Sequence, residues 1–206
     1  GPEATALYGS QASSGAVIIT TKKAKSNQLA VQYDNSFRVS KVARLKDTYD
    51  EYSNGTNSAP SAILRYFGPK YAADVPRYDN VDNFFQTGLS QTHNLGADFG
   101  FGKSIFRVSG SYFDQKGVVP ANDFKRYNLR ISNTTKIGKK IELIPSLAYA
   151  RSENDKVLRS AGGYLLSLYA WPVTNDIRRY EDEDGNKLPL LATIAGTGEI
   201  DNPFFN

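Results

Sequence analysis

The chain has 206 residues, enough for one domain or two small ones, and 40% of them are hydrophobic. That share, with no long uncharged apolar run, excludes a helical membrane protein. The net charge of +4 comes from scattered basic residues without an RNP-like motif, which argues against nucleic-acid binding, and the lack of Cys excludes disulfides and thiolate metal sites.

The first stretch, GPEATALYGSQASSGAVIITTKKAK, has no basic n-region and no apolar h-region, so it is not a targeting peptide. Small residues from Ala4 to Ala16 run into a short apolar strand, Val17-Ile18-Ile19-Thr20-Thr21, and then into Lys22, Lys23 and Lys25. It reads as the last piece of a small-residue-rich domain, in which Tyr8 and Ile18-Ile19 are expected to pack.

Five stretches of period-two alternation follow. In the first, Leu29, Val31, Tyr33, Phe37 and Val39 oppose Gln32, Asp34, Ser36 and Arg38. In the second, Leu95, Ala97, Phe99 and Phe101 oppose Thr92, Asn94, Gly96 and Asp98. The third sets Phe106, Val108, Gly110 and Tyr112 against Arg107, Ser109 and Ser111. The fourth sets Tyr127, Leu129 and Ile131 against Arg126, Asn128, Arg130, Ser132 and Thr134. The fifth sets Ile141, Leu143, Pro145, Leu147 and Tyr149 against Glu142, Ser146, Ala148 and Ala150.

A half-buried soluble sheet would give the same alternation. The connections favour another reading. Gly102-Lys103 and Ile137-Gly138-Lys139 are short, whereas Ser40 to Gln91, Asp114 to Asp123 and the stretch after Ser152 are long. Tight turns at one end of a sheet and long loops at the other are the build of an outer-membrane barrel. On that reading Phe106, Val108, Tyr127, Leu129, Ile131, Leu143 and Leu147 face lipid, and Asp98, Arg107, Arg126, Arg130 and Glu142 face a wet lumen. Tyr112, Tyr127 and Tyr149 stand where an interfacial girdle places amphipathic rings.

Two loops carry expected helices. APSAILRYFG, residues 59–68, has Pro60 at a helix start and Gly68 past its end. DKVLRSAGGYLLSLYAWP spaces Val157, Ala161, Leu165 and Leu168 as a helix does and stops at Pro172, although Gly162-Gly163 interrupts it. Tyr66, Phe67 and Tyr71 in one loop, with Tyr164, Tyr169 and Trp171 in the other, are candidates to face substrate or a partner protein. Packing of the loops on each other would use the same rings.

His93 is the single histidine, so no His-centred metal pair or triad can form within this chain, and a structural, partly solvated role is expected. YEDEDGNKL invites a calcium reading, but Gly185 at the sixth loop position puts Tyr180 first and Leu191 twelfth, where acids are required. Asp184-Gly185 is read instead as a hairpin turn. No metal or cofactor is implied.

The opening motif, Ala-Thr-Ala-Leu-Tyr-Gly followed by Ser-Gly-Ala-Val-Ile-Ile-Thr-Thr-Lys-Lys, resembles the close of the plug in TonB-dependent outer-membrane transporters, the SusC/RagA branch above all. NFFQTGLSQTHNLGADFG, YFDQKGVVPANDFKRYNLRISN and EDEDGNKL followed by DNPFF are similar to that branch's early barrel strands and loops. The resemblance implies that residues 1–27 end a plug and 28–206 begin an antiparallel all-β barrel, with long extracellular loops at 40–91 and 152–206. A plugged barrel of this kind has about 22 strands, so the chain reads as a segment. The family further implies import of large nutrients, oligosaccharides or peptides, without enzymatic chemistry. A SusD-like surface lipoprotein would close the mouth, outer-membrane lipid would surround the wall, and TonB would pull through a region outside these residues. The rival readings are a passive surface protein (an adhesin or a structural barrel) and a soluble carbohydrate-binding β-domain.

Overall fold

A computed structural model describes residues 2–17, 19, 28–43, 45–60, 66–157, 163–189 and 201–205. Pro2 opens a short helix, α1 (Pro2–Tyr8), where its missing N–H costs nothing. Gly9, at φ 81°, ends it, and a 3-10 turn (Ser10–Ala12) follows. The strand expected from Val17 is not seen in its described residues: Val17 and Ile19 are 90% and 84% exposed, and Tyr8 is also exposed. The packing expected of this segment is thus not made within the described chain. Ile18 and residues 20–27 lie outside the described residues.

The sheet is built from β1 (Ala30–Ser40), then, past two short strands and a helix, β4 (Gly88–Phe101), β5 (Ser104–Lys116) and β6 (Asp123–Ile137), with β7 (Ile141–Leu143) and β8 (Ser146–Asn154) last. Its order is β1-β4-β5-β6, and β7 and β8 both pair with β6. The two-residue loop between β4 and β5 forces an antiparallel pair, and Gly102 takes the positive φ of 62° that so tight a turn needs. β6 and β7 are antiparallel, with Ile137 opposite Ile141 and Lys136 opposite Glu142.

The fifth alternating stretch is divided at Ile144-Pro145 into β7 and β8. Proline has no N–H for the ladder and is tolerated where one side of a strand is unpaired. The Pro145 carbonyl still accepts from the Asn133 N–H at 3.0 Å, so the pairing with β6 carries on past the break.

The first long connection holds β2 (Gly55–Thr56), β3 (Ala59–Pro60) and α2 (Asn80–Phe84). The helix expected over 59–68 is corrected at both ends: Ala59-Pro60 is strand, and Tyr66 bridges to Gly55. Asn57 and Ser58, at φ 52° and 61°, turn the chain into a hairpin, so Pro60 enters a strand instead of starting a helix. Residues 61–65 lie outside the described residues. The second expected helix is real but shorter, α3 (Tyr164–Ala170), beginning after Gly163. Val157 belongs to the loop core and not to this helix, and Ala161 lies outside the described residues.

The chain divides into two compact units. One comprises 1–32, 96–109 and 130–148, which contain the turn-side parts of the strands; the other comprises 33–95, 110–129 and 149–206, with the long loops. The buried apolar cluster lies in the second, where Phe84, Val119, Val157, Leu168, Trp171 and Ile177 come together. No helix among the described residues is long and apolar enough to cross a membrane, which says nothing of strands.

Candidate functional site

Through the middle of β4, β5 and β6 apolar and polar side chains fall largely on opposite faces. In the turn-side unit Phe99 stacks on Phe106 with ring centroids 5.4 Å apart, while Arg107 donates two bonds from Nη1 to the Asp98 carboxylate at 2.7 and 2.9 Å. That pair is nearly sheltered, with side chains 15% and 13% exposed. Gly96 lies under it: a Cβ there would stand 3.1 Å from Arg107 Nη2. In the loop-side unit Tyr33, His93, Tyr112 and Tyr127 form a ladder of stacked rings with centroids 5.0 to 6.3 Å apart. There Asn128 donates to Ser111 Oγ at 2.9 Å, and Arg126 lies over Phe113 on the other side of the strands.

Many of the large apolar side chains of the strands are exposed. Leu129 is 46% exposed and Leu147 70%, with Val31, Phe37, Leu95 and Tyr149 exposed as well. A soluble sheet buries this face; here the ion pair is the better covered of the two. Of the side chains expected to face lipid, Tyr127, Leu129, Ile131, Leu143 and Leu147 are exposed and Phe106 and Val108 half-buried; of those expected to face a lumen, Asp98 is buried, Arg107 and Arg130 are half-buried, and Arg126 and Glu142 are exposed. His93 sits in the ring ladder, its Nδ1 2.7 Å from Tyr33 Oη and 2.9 Å from Asn35 Nδ2. Sequence reasoning missed Tyr33 and Asn35 as its partners because they sit sixty and fifty-eight residues away.

The two long loops share a core. Asn80 is buried and acts as a latch: its Nδ2 donates to the carbonyls of Pro172 and Asn175 at 3.1 and 3.0 Å, and its Oδ1 accepts from Ile177 N–H. Asn202 repeats the device, donating to the Ile177 carbonyl at 2.8 Å and accepting from Phe204 N–H. Asp79 caps α2 by accepting from Asp82 N–H at 2.9 Å, which aims Phe84 inward. Phe84 then packs against Phe85, Tyr164 and Phe204 at 5.1 to 5.5 Å.

The six loop aromatics meet different fates. Trp171 is only 5% exposed and is corrected from a surface candidate to a core residue. Tyr164 packs against the same core, and Tyr66 donates from Oη to the Ala170 carbonyl at 2.7 Å, burial pushing its phenol well up from the ordinary value. Tyr169 is half-buried, and Tyr71 is half-buried beneath the Arg77 guanidinium at 5.9 Å. Phe67 alone of the six is broadly exposed, at 68%. Apolar side chains in a loop signal packing as readily as presentation, and only partner geometry separates the two.

The acidic hairpin forms as expected, with Gly185 at φ 79° and a bridge between Glu181 and Lys187. The Asn186 side-chain amide, 2.9 Å from Asp182, holds that carboxyl below its usual range, so the acid is turned inward to the turn itself. No group of three or more metal-ligating side chains occurs among the described residues.

No protein-family model matches the chain. It is 36% identical over 134 residues to the TonB-dependent receptor SusC of Bacteroides thetaiotaomicron, covering 63% of this chain and 13% of that protein. It is 27% identical over 208 residues to the TonB-dependent receptor P3 of Formosa agariphila, covering 98% of this chain and 20% of that one. The chain therefore spans a fifth or less of the length of these relatives. Its fold is that of part of a chain in a structure of the RagAB peptide importer in the "closed-closed" state, with a TM-score of 0.62 at 18% identity over 97% of this chain and 26% of that one. In sequence the chain is thus similar to TonB-dependent receptors, SusC among them, and in fold to part of the RagAB importer.

Proposed function

We propose that the protein containing this segment is an energised importer that carries large nutrients, oligosaccharides or peptides, across the bacterial outer membrane. The observation that carries this reading lies in the middle strands, where Leu95, Leu129 and Ile131 are exposed and the Asp98–Arg107 pair is sheltered on the opposite face. Lipid cannot solvate charge, so a wall in contact with it must present apolar side chains and keep ionised groups toward a wet interior. The likeness to TonB-dependent receptors supports TonB as the source of work, acting through a part of the protein outside this segment. Residues 1–27 would then close a plug, and the loops at 40–91 and 152–206 would face outward beneath a SusD-like lipoprotein. Such a machine captures and moves its cargo and breaks no bond in it.

A pull-down of the native full-length protein from detergent-solubilised outer membrane tests the reading. Mass spectrometry should find a stoichiometric surface lipoprotein with bound oligosaccharide or peptide. A lone barrel without lipoprotein or cargo would move the assignment to a passive surface protein.

A further inference from the structure

The turn side of the sheet is strongly basic. Six basic and two acidic residues fall in its strand segments, 96–109 and 130–148, whereas the loop-side unit holds sixteen and eighteen. Of the two acids, Asp98 is taken by Arg107, and Glu142 stands opposite Lys136 in the β6–β7 pair. Lys103 and Lys139-Lys140 occupy the two tight turns, exposed and without an ion pair among the described residues. The turns are neighbours, since Lys136 N–H donates to the Lys103 carbonyl at 3.3 Å. Like charges gathered on one rim repel one another unless an anion lies among them.

The same rim is apolar as well as basic. Phe101, Ile137 and Ile141 flank the turns and are 82%, 49% and 56% exposed. Next to them, Ser104, Asn133 and Thr135 break the apolar row that carries Phe106, Leu129 and Ile131. These three bond to each other: Ser104 Oγ lies 2.7 Å from Thr135 Oγ1, which donates to Asn133 Oδ1 at 2.6 Å, and Asn133 Nδ2 donates to the Ile105 carbonyl at 3.4 Å. We infer that this rim binds the headgroup of an anionic phospholipid in the leaflet on the turn side, with Lys103, Lys139 and Lys140 at its phosphate and its acyl chains along Phe106, Leu129 and Ile131.

A lysine lays its alkyl stem along apolar surface and keeps its ammonium in water. Lysines beside an exposed Phe and two Ile therefore fit the level at which lipid tails give way to phosphate, where each cation gains from an anionic surface. The polar trio, bonded within itself, needs no water and suits the ester level beneath. A dissolved anion would match the charge and leave the apolar side chains uncovered. That this face meets lipid rests on the proposed transport function; the preference for an anionic headgroup rests on the rim itself.

The test is photolabelling of the purified full-length protein in phosphatidylcholine liposomes. A trace of phosphatidylglycerol or of phosphatidylcholine, each with the same diazirine-bearing acyl chain, is added, and adducts are located by peptide mass spectrometry. Both tracers should mark the strands around Phe106, Leu129 and Ile131. Residues 101–106 and 131–143 should take phosphatidylglycerol about fivefold more than phosphatidylcholine, the scale of one ammonium at an anionic surface. Lys103→Gln, Lys139→Gln and Lys140→Gln combined should remove that excess, and salt at about 0.5 M should lower it. The three lysines are exposed in turns, so the triple variant keeps the fold. No excess in wild type, which would leave the lysines to an acidic periplasmic protein, overturns the headgroup site. So does an excess unchanged in the triple variant, or one abolished by millimolar glycerol phosphate, the mark of a site for a free anion. Strands labelled equally by both tracers with no excess at the rim sink the site and keep the lipid face; strands labelled by neither sink the transport reading itself.

Discussion

Arg107 and Asp98 face each other from neighbouring strands, and both are too well covered for water to replace either partner cheaply. The planar guanidinium fits a carboxylate along two short bonds from one nitrogen, and Gly96 leaves room for its other end. Removing one member of such a pair leaves the other short of its charge partner, which costs more than the pair contributes when intact. Asp98→Asn keeps the shape and deletes the charge. It should lower the stability of the turn-side unit by about 1–3 kcal/mol, less than for a fully buried pair because some water still reaches both groups. The temperature at which the full-length barrel loses its compact mobility on a denaturing gel reads this directly, and an unchanged temperature would refute the structural weight given to the pair.

At the scale of strands, alternation along β4, β5 and β6 was legible because one face of each is apolar through its middle, and the stacked pairs Phe99–Phe106 and Tyr112–Tyr127 join like positions across strands. The strand ends were less legible. β4 begins at Gly88 and β6 at Asp123, where main-chain pairing continues through polar residues that carry no periodic signal. The helix expected at Pro60 failed for a related reason: proline starts strands as well as helices, and the deciding feature was the positive φ of Asn57 and Ser58. The loop core was not legible, because Phe84, Trp171, Ile177 and Asn202 meet only once the chain has folded.

The proposed lipid face makes a prediction at this same scale. Leu129 and Asn128 are adjacent on β6, and only the face differs. Leu129→Arg would put a cation against lipid at a cost of about 2–4 kcal/mol near the bilayer midplane. Asn128→Arg would lose its bond to Ser111, about 1 kcal/mol, and gain water in the lumen. Surface-exposed, folded protein should fall sharply for the first variant and stay near wild type for the second. Equal levels of both in isolated outer membrane would overturn the assignment of faces.

For the whole molecule, the long loops have a stability separable from that of the strands, because they bring their own core and their own latches. Asn80 alone holds three main-chain groups of the second loop, and Tyr78 N–H adds a bond to the Val173 carbonyl at 2.7 Å. Asn80→Ala would strand two carbonyls and one amide in a buried place, at about 1–3 kcal/mol for each group that water fails to reach. The two loops should then loosen together, since α2 and the Pro172–Ile177 stretch meet at this residue. The strands, which use none of these bonds, should hold. With the loops on the cell surface, as the proposed function has them, protease added to intact cells should therefore cut the variant in both loops at matching rates while the remaining barrel keeps its heat-resistant mobility. Cutting confined to one loop would mean that each is held by its own attachment to the strands; such a surface could not pass a disturbance at one side of the mouth to the other.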